Sequence, residues 1–405
     1  MPHIVRTLII LCIAYSPLFG QLPTDAHIAF VQAHALPINI DLAGVQNPWN
    51  AVIREVRDKH LVMLGEFNHG SREVFEVRNA LIKALHAELG IDLILFESGL
   101  GEVGVIDRMK DTMPGAQLTS GFFGGWRNDA FQNLLEYARD QGIRVGGFDV
   151  QRTGHVFTDF LADQLTEPQA LIDLEEQFVK IKGRLSNYRT EYEAVRDDAN
   201  SLIAGYRELA HRLGQRDPLI SRTLENRVTY LEYMVAFAKQ KDWHARWRAR
   251  DKAMAQNVQW LLDQAGDTGK VLVIAHNFHI ARHNDTEYVM GEYLAPLFGK
   301  QMYAIGVFAA EGEFHNNSGQ VESMSPPDTG NLDIKHIIQA DRAALSFLPI
   351  PAPGTPGSGW LFRPVIVRDT FIDLTGSETM VLGTAFDALL LLDRVSPPVR
   401  SDIRR

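Results

Sequence analysis

Short apolar runs alternate with helical stretches along most of the chain, and this alternation is the feature that most constrains the fold. Apolar runs without interruption are typical of strands that are buried on both faces, and intervening helices are typical of parallel connections. The pattern therefore predicts an α/β fold, with three α/β/α layers around a mostly parallel central sheet. The runs and the polar residues that end them are 61–65 with Glu66, 91–96 with Glu97, 145–148 with Asp149, 270–275 with His276, and 302–310 with Glu311.

The polar residues at the ends of these runs predict a functional site. The carboxyl ends of parallel strands lie at one edge of a sheet, and ligands of such sheets bind just beyond that edge. Glu66 and His69 follow the first run, Glu97 follows the second, and His276 and His279 follow the fourth, three residues apart. One polar residue after a strand would mean little, whereas five in one chain indicate a site.

A charged residue interrupts the apolar face of the helix that follows the first run. Over residues 71–89 the apolar positions are spaced by three and four, as expected for an amphipathic helix. Arg78 occupies this face, where an aliphatic residue is expected. Because an unpaired buried charge is very costly, Arg78 requires a carboxylate or a bound anion. Glu66 and Glu97 are both candidates for that partner.

The middle of the chain has a different character from the rest. Residues from about 157 to 262 combine helical spacing with dense charge, which predicts a large helical insertion between the third and fourth strands. This insertion could form a cap over the site or a plain helical subdomain, and periodicity favours neither. Residues 316–331 and 349–359 are rich in Pro, Gly and Ser and are predicted surface loops. The apolar runs Trp360–Val367 and Met380–Leu392 are expected to close the chain as edge strands.

The N-terminus has the pattern of a secretory signal. Arg6 precedes an apolar stretch at residues 8–15, and a small residue suited to cleavage follows. We therefore expect a signal peptide at residues 1–20, a single domain at 21–405, and export to the periplasm or beyond. The alternative is a buried N-terminal segment of a cytoplasmic protein. The one cysteine, Cys12, lies inside the signal, so the mature chain has no disulfide and no thiol chemistry.

The charge balance narrows the class of partner. The chain of 405 residues has a formal net charge of -10, which argues against nucleic acid or an anionic membrane surface as the main partner. Once the signal is removed, no segment has the unbroken apolar length of a membrane span. A small molecule is the expected partner.

Six residues are candidates for chemistry, and they allow two mechanisms. In the first, a histidine held by a carboxylate draws a proton from water, which attacks an ester carbonyl, while Arg78 or a second histidine stabilises the oxyanion. In the second, two or three histidines and a glutamate bind zinc, which activates the water. Neither a G-x-S-x-G elbow nor a glycine-rich phosphate loop is present. The candidates are Glu66, His69, Arg78, Glu97, His276 and His279.

Several ordered motifs closely resemble the erythromycin esterase family. They include GEFNHGSREVFEVRNALI, LILFES, GGWRNDAFQNLLEYARDQG, RARDKAMAQNVQWLLDQ and KVLVIAHNFHIAR, within about residues 55–395. The resemblance implies a three-layer α/β fold and a general base at His69 that requires no metal. It also implies that Asn68 and the residues around Phe122-Phe123 shape the substrate pocket. Finally, it implies active-site roles for Glu66, Arg78, Glu97, His276 and His279.

The sequence therefore predicts an exported hydrolase of carboxylic esters or lactones, without a cofactor or metal. Macrolide hydrolysis, which inactivates an antibiotic, is the known activity of a few members of the family that the chain resembles, so a macrolide lactone is one candidate substrate. The first alternative is a metal-dependent hydrolase that uses the same histidines and glutamates. The second is a module without catalytic activity that binds a small molecule such as haem, as more distant relatives of the fold do.

Overall fold

A computed structural model describes residues 22–40, 47–213, 217–266, 269–368 and 379–399. The signal peptide expected at residues 1–20 lies outside the described residues and stays a prediction, as does the proposed division of the chain into domains. None of the described helices combines the length and the apolar character that a membrane span requires.

The described elements follow one another in the order that the apolar runs predict. The strands are β1 (Leu36–Pro37), β2 (Leu61–Leu64), β3 (Leu93–Gly99), β4 (Arg144–Asp149), β5 (Val271–Ile274), β6 (Met302–His315), β7 (Val321–Ser323), β8 (Leu345–Pro349), β9 (Pro364–Ile366), β10 (Thr379–Val381) and β11 (Ala388–Val395). The α-helices are α1 (Asp25–His34), α2 (Asn50–Val56), α3 (Arg72–Leu89), α4 (Leu100–Met109), α5 (Asp129–Asp140), α6 (Val156–Ala162), α7 (Gln169–Ser186), α8 (Arg196–Leu213), α9 (Pro218–Gln240), α10 (Trp243–Ala265), α11 (Asn277–Ile280), α12 (Met290–Phe298), α13 (Ile334–Asp341) and α14 (Leu382–Ala385).

Parallel pairing runs through the centre of the main sheet. The strand order is β1-β8-β11-β6-β2-β5-β3-β4, and β7 pairs with the end of β6. From β11 to β4 all neighbours are parallel, whereas β8 and β1 are antiparallel at the other edge. The five predicted strands correspond to β2 to β6. The prediction of an α/β fold with a mostly parallel sheet is therefore confirmed.

Helices cover both faces of this sheet, which gives the predicted three layers. Successive residues of a strand point to opposite faces. Leu61 and Met63 of β2 belong to a core shared with α1, α10, α12 and α13. Val62 and Leu64 belong to a second core, shared with α2, α3 and α5. Because both faces of β2 are covered, its residues are apolar without interruption.

The C-terminal apolar runs do not form edge strands of the main sheet, so that prediction is wrong. Residues 388–395 form β11, which lies between β8 and β6 inside the sheet. Leu389 and Leu391 are buried in one core and Leu390 in the other, so this strand is covered on both faces. The run at 360–367 ends in β9, which pairs with β10 in a separate two-stranded sheet.

The chain between β4 and β5 is helical, from α6 to α10, over the stretch predicted as an insertion. Helices α6 to α9 form an apolar core with parts of α4 and α10. Arg227 of α9 lies within this core and is 1% exposed. Its Nη2 donates to Glu102 of α4 at 2.5 Å, and its Nε donates to Glu175 of α7 at 3.1 Å. One guanidinium therefore links the helical part to the helix that directly follows β3.

Replacement of this arginine should destabilise the protein strongly. Arg227→Met leaves the buried carboxylate of Glu102 without its cation and leaves Glu175 with Arg152 alone, and a buried charge without its partner costs about 3–5 kcal/mol. Arg207→Met is the matched control, because the side chains of Arg207 and its partner Glu232 are 62% and 49% exposed, and such a pair contributes about 0–1 kcal/mol. Urea unfolding measures both free energies. Equal losses in the two variants would contradict this account of the buried network.

Candidate active site

The polar residues at the strand ends converge on a cavity of about 330 Å³ at the carboxyl edge of the sheet. Four of the six predicted residues line it, while Glu66 and Arg78 lie behind its wall. Phe123, which was expected to shape the pocket, also lines it. The lining residues are His69, Glu97, Phe123, Gly124, Gly125, Gln151, Arg250, His276, Phe278, His279 and Asn317.

Asn277 links the segment after β5 to β6 through two hydrogen bonds. Asn277, at the start of α11, donates from Nδ2 to the carbonyl of Val307 in β6 and accepts from the Val307 N–H, at 2.7 and 3.0 Å. To do so it passes over Gly65, where a Cβ would lie 2.0 Å from the Asn277 Oδ1. Only glycine gives this room, so Gly65 lets the segment after β5 close over the end of β2.

Glu66 and Arg78 form a buried ion pair. Glu66 is 0% exposed and Arg78 is 1% exposed, and the Arg78 Nη1 donates to the Glu66 Oε2 at 2.8 Å. The guanidinium carbon of Arg78 lies 4.6 to 5.6 Å from three aromatic ring centroids, those of Phe75, Trp126 and Phe131. Its Nε and Nη2 have no hydrogen-bond partner among the described residues. Of the two candidate partners, Arg78 pairs with Glu66, and it does not line the cavity.

His69 connects this ion pair to the cavity. Its Nδ1 lies 2.6 Å from the Glu66 Oε1, and its side chain is 19% exposed. An ionised carboxylate can only accept, so Nδ1 carries the hydrogen and Nε2 carries the lone pair. Among the described residues nothing is hydrogen-bonded to Nε2, which is left for the cavity. Although burial lowers it, the Glu66 carboxylate raises the pKa of His69 above its ordinary 6.5.

His276 is held as a neutral imidazole inside the protein. Its Nε2 donates to the carbonyl of Phe67 at 2.8 Å, and its Nδ1 caps α11 by accepting from the Phe278 N–H at 3.3 Å. Burial, and then the nearby His69, lower the pKa of His276 to about 3. Both ring nitrogens serve the backbone, so this histidine has a positioning role in the site.

His279 is surrounded by carboxylates instead. Its Nδ1 lies 2.7 Å from the Asp251 Oδ1, and its Nε2 lies 3.4 Å from the Glu97 Oε1. Although burial lowers it, Asp251 and Glu97 raise the pKa of His279 to about 9. An imidazolium at neutral pH is therefore available at the wall of the cavity.

Arg250 of α10 joins the helical part to the site. Its Nη2 donates to Glu97 at 2.7 Å and to Asp149 at 2.6 Å, and its Nη1 lies 3.0 Å from the His279 Nε2. The carboxylates of Glu97, Asp149 and Asp251 together surround the two cations. Burial alone would raise the pKa of Glu97, but His279 and Arg250 hold it well below its ordinary value.

Sequence reasoning missed Arg250, Asp251 and Trp126, and it noted Asp149 only as a strand end. The signal that identified Arg78 was present for Arg250 and Asp251 as well. They occupy the buried face of α10 between Trp247 and Met254, at spacings of three and four residues. Charged residues on such a face require partners, which here are the carboxylates and the histidine at the strand ends.

The donor set does not fit the zinc site of the second mechanism. Within the described ranges, no group of three or more His, Cys, Asp or Glu side chains is arranged to hold a metal ion. The Nδ1 bond to Glu66 would leave the His69 Nε2 able to bind a metal, but both nitrogens of His276 are committed to the backbone and both nitrogens of His279 face carboxylates. These histidines cannot all turn their lone pairs to one metal without breaking buried hydrogen bonds.

Comparisons with known proteins relate most of the chain to a known family. The family model for erythromycin esterase matches residues 86–395, a range that contains Glu97, His276 and His279. The Bacillus subtilis (strain 168) protein "Putative hydrolase YbfO" is 25% identical over an alignment of 443 residues, which covers 97% of both chains. "Erythromycin esterase type II" of Escherichia coli is 24% identical over 262 residues, 56% of this chain and 62% of that protein. A solved erythromycin esterase mutant in its open conformation has a TM-score of 0.63 at 16% identity, over 91% of this chain and 99% of that one. At this identity the structural likeness shows the fold alone.

The neutral state of His276 should make the protein less stable in acid. The unfolded chain binds a proton on this histidine below about 6.5, whereas the folded protein does so only near pH 3, so stability falls as the pH drops between these values. His276→Gln should remove up to about 1.4 kcal/mol per pH unit from that slope. Urea unfolding between pH 4 and 7 measures it, with the exposed His211→Gln as control. An unchanged slope in His276→Gln would contradict the neutral assignment.

Proposed function

The chain belongs to the erythromycin esterase family, which suggests hydrolase activity, and on this premise we propose that it hydrolyses carboxylic esters or lactones. One observation carries the proposal. His69 holds a carboxylate on one ring nitrogen and leaves the other, without a partner among the described residues, at a cavity. This is the arrangement that a general base for water requires.

In the proposed reaction, His69 takes a proton from a water molecule as that water attacks the carbonyl carbon of the substrate. The Nδ1–H bond to Glu66 fixes the tautomer that places the lone pair on Nε2, and the carboxylate stabilises the imidazolium that forms. Arg78 donates to the other oxygen of the Glu66 carboxylate and so orients it. The proton then passes from Nε2 to the leaving alcohol, which completes the hydrolysis.

The developing oxyanion needs a positive group at the cavity wall, and His279 is the residue that supports this role best. Its environment favours the imidazolium, and it lines the cavity beside Arg250. Because its two ring nitrogens face Asp251 and Glu97, it would act on the oxyanion through its positive charge. The alternative assigned to Arg78 loses support because Arg78 lies behind Glu66 and does not line the cavity. A preorganised positive group of this kind can stabilise the transition state of acyl transfer by several kcal/mol.

The test compares the wild-type protein with His69→Asn on a panel of simple esters, lactones and a macrolide. Because Asn cannot accept the proton, we expect kcat to fall by about 10²- to 10⁴-fold on any substrate that wild type hydrolyses. Mass spectrometry follows the gain of one water, and His211→Asn, a change at an exposed histidine, is the control. Full activity in His69→Asn would refute the proposal that His69 is the general base.

The same panel separates the remaining alternatives. Loss of activity on chelation, restored by added zinc, would favour the metal-dependent mechanism. Silence across the panel together with a Soret shift on haem titration would favour the binding module. A macrolide is included because the name of the Escherichia coli relative assigns erythromycin esterase activity to that protein.

The pH profile of hydrolysis should report the environment of His69. The base acts only when it is unprotonated, and Glu66 raises its pKa above 6.5. We therefore expect kcat/KM to rise with pH through an ascending limb whose midpoint lies above 6.5, and to fall again near pH 9 as His279 loses its proton. The profile is measured with a substrate found in the panel, after the protein has been shown to stay folded at each pH. A limb centred below 6.5 would be inconsistent with a base held by a buried carboxylate.

A further inference from the structure

Trp126 lies directly against the proposed base. It ends the short 3-10 turn Gly124–Trp126 and is 0% exposed. Its indole Nε1 lies 3.1 Å from the His69 Nδ1. The neighbouring Gly125 comes so close that a Cβ there would lie 2.9 Å from the His69 Cβ. This turn therefore confines the imidazole ring to one position.

The His69 Nδ1 and the Trp126 Nε1 both carry a hydrogen in the expected tautomer, so they cannot form a hydrogen bond with each other. The His69 Nδ1 lies within hydrogen-bonding distance of both Glu66 and Trp126, but it can carry either one hydrogen or one lone pair. Glu66, ionised beside Arg78, can only accept, so Nδ1 must donate to it. The indole N–H can also only donate. With His69 in this tautomer, the indole hydrogen faces another hydrogen and has no acceptor among the described residues.

The repulsion between the indole N–H and the His69 ring differs in energy between the neutral and the protonated imidazole. The positive end of the indole N–H bond repels the imidazolium more strongly than the neutral ring, so it opposes protonation. The charged and titratable groups around the ring come from the segment of His69 itself and from three other elements. Glu66 after β2 and Glu97 of β3 favour the proton, while Arg78 of α3, and His276 and His279 of the α11 segment, oppose it when they carry positive charge.

We propose that Trp126 is a positioning residue that weakens the proton affinity of His69, so that the base is free to accept a proton at lower pH than Glu66 alone would allow. The catalytic meaning of this inference rests on the proposed function. Its physical content, the effect of one N–H group on one imidazole, can be measured without any substrate.

The experiment is an NMR titration of the histidine rings in the full chain, with His69 assigned from the spectrum of His69→Asn. Trp126→Phe removes the N–H and keeps an aromatic ring, and it should raise the pKa of His69 by about 0.5–1 unit. Trp360→Phe is the matched control. Trp360 is 2% exposed, its Nε1 has no hydrogen-bond partner among the described residues, and it belongs to the core on the other face of the sheet. It should leave the pKa of His69 unchanged.

A second variant separates the N–H from the shape of the ring. Replacement of Trp126 by 3-benzothienylalanine substitutes sulfur for N–H in a bicyclic ring of nearly the same size, so water does not enter in its place. We expect the same upward shift as in Trp126→Phe. The ring ¹⁵N shifts of the wild type at high pH should also place the hydrogen on Nδ1 of His69.

Two results would overturn the inference. One is a pKa of His69 that is unchanged or lower in both variants, and the other is a wild-type neutral ring with its lone pair on Nδ1. The outcomes also separate this inference from the proposed function. An upward shift without hydrolysis of any ester would reject the function and keep the inference, whereas hydrolysis by His69 without a shift would reject the inference alone.

Discussion

The ion pair between Glu66 and Arg78 is the interaction on which the rest of the site depends. A carboxylate with no exposure would be very unfavourable at the end of a buried strand without a cation, and α3 supplies that cation from its core-facing side. Aromatic rings cover the remaining face of the guanidinium, which keeps water away from it. Because the carboxylate is ionised and fixed, the hydrogen of His69 is fixed too. The lone pair at the cavity is therefore a consequence of a charge pair that does not line the cavity.

The three histidines of the site have different protonation properties because each has different neighbours. His276 faces backbone groups and is neutral, His279 faces carboxylates and is cationic, and His69 faces one carboxylate and the cavity. Environments that separate the pKa values of like groups are a general sign of divided roles in acid–base chemistry. Here the division follows from the strand ends, since each histidine lies beside a different set of polar residues.

Much of this arrangement could be predicted from the sequence because local patterns carried it. Uninterrupted apolar runs indicated the parallel sheet, and an arginine on an apolar helical face indicated a buried pair with Glu66 or Glu97, of which the structure shows Glu66. The position of β11 was not predictable in the same way, because strand order depends on pairing between distant segments. Trp126 also escaped prediction, since it meets His69 across 57 residues of sequence and an indole has no distinctive pattern. Arg250 was overlooked because the dense charge of the surrounding sequence concealed a position whose side chain is only 13% exposed.

The register of α10 has a consequence for how proteins of this architecture can vary in length. Arg250 faces the carboxylates of β3 and β4, and the next residue, Asp251, faces His279. A slip of one residue that put Asp251 in the place of Arg250 would bring Lys252 to the place of Asp251, and would so reverse the charge at both places. Insertions and deletions in the preceding helices must therefore be absorbed before Trp243, in the turn that leads into α10. The helical part can change its size and loops over evolution, while the phase of its last helix is fixed by the charges beneath it.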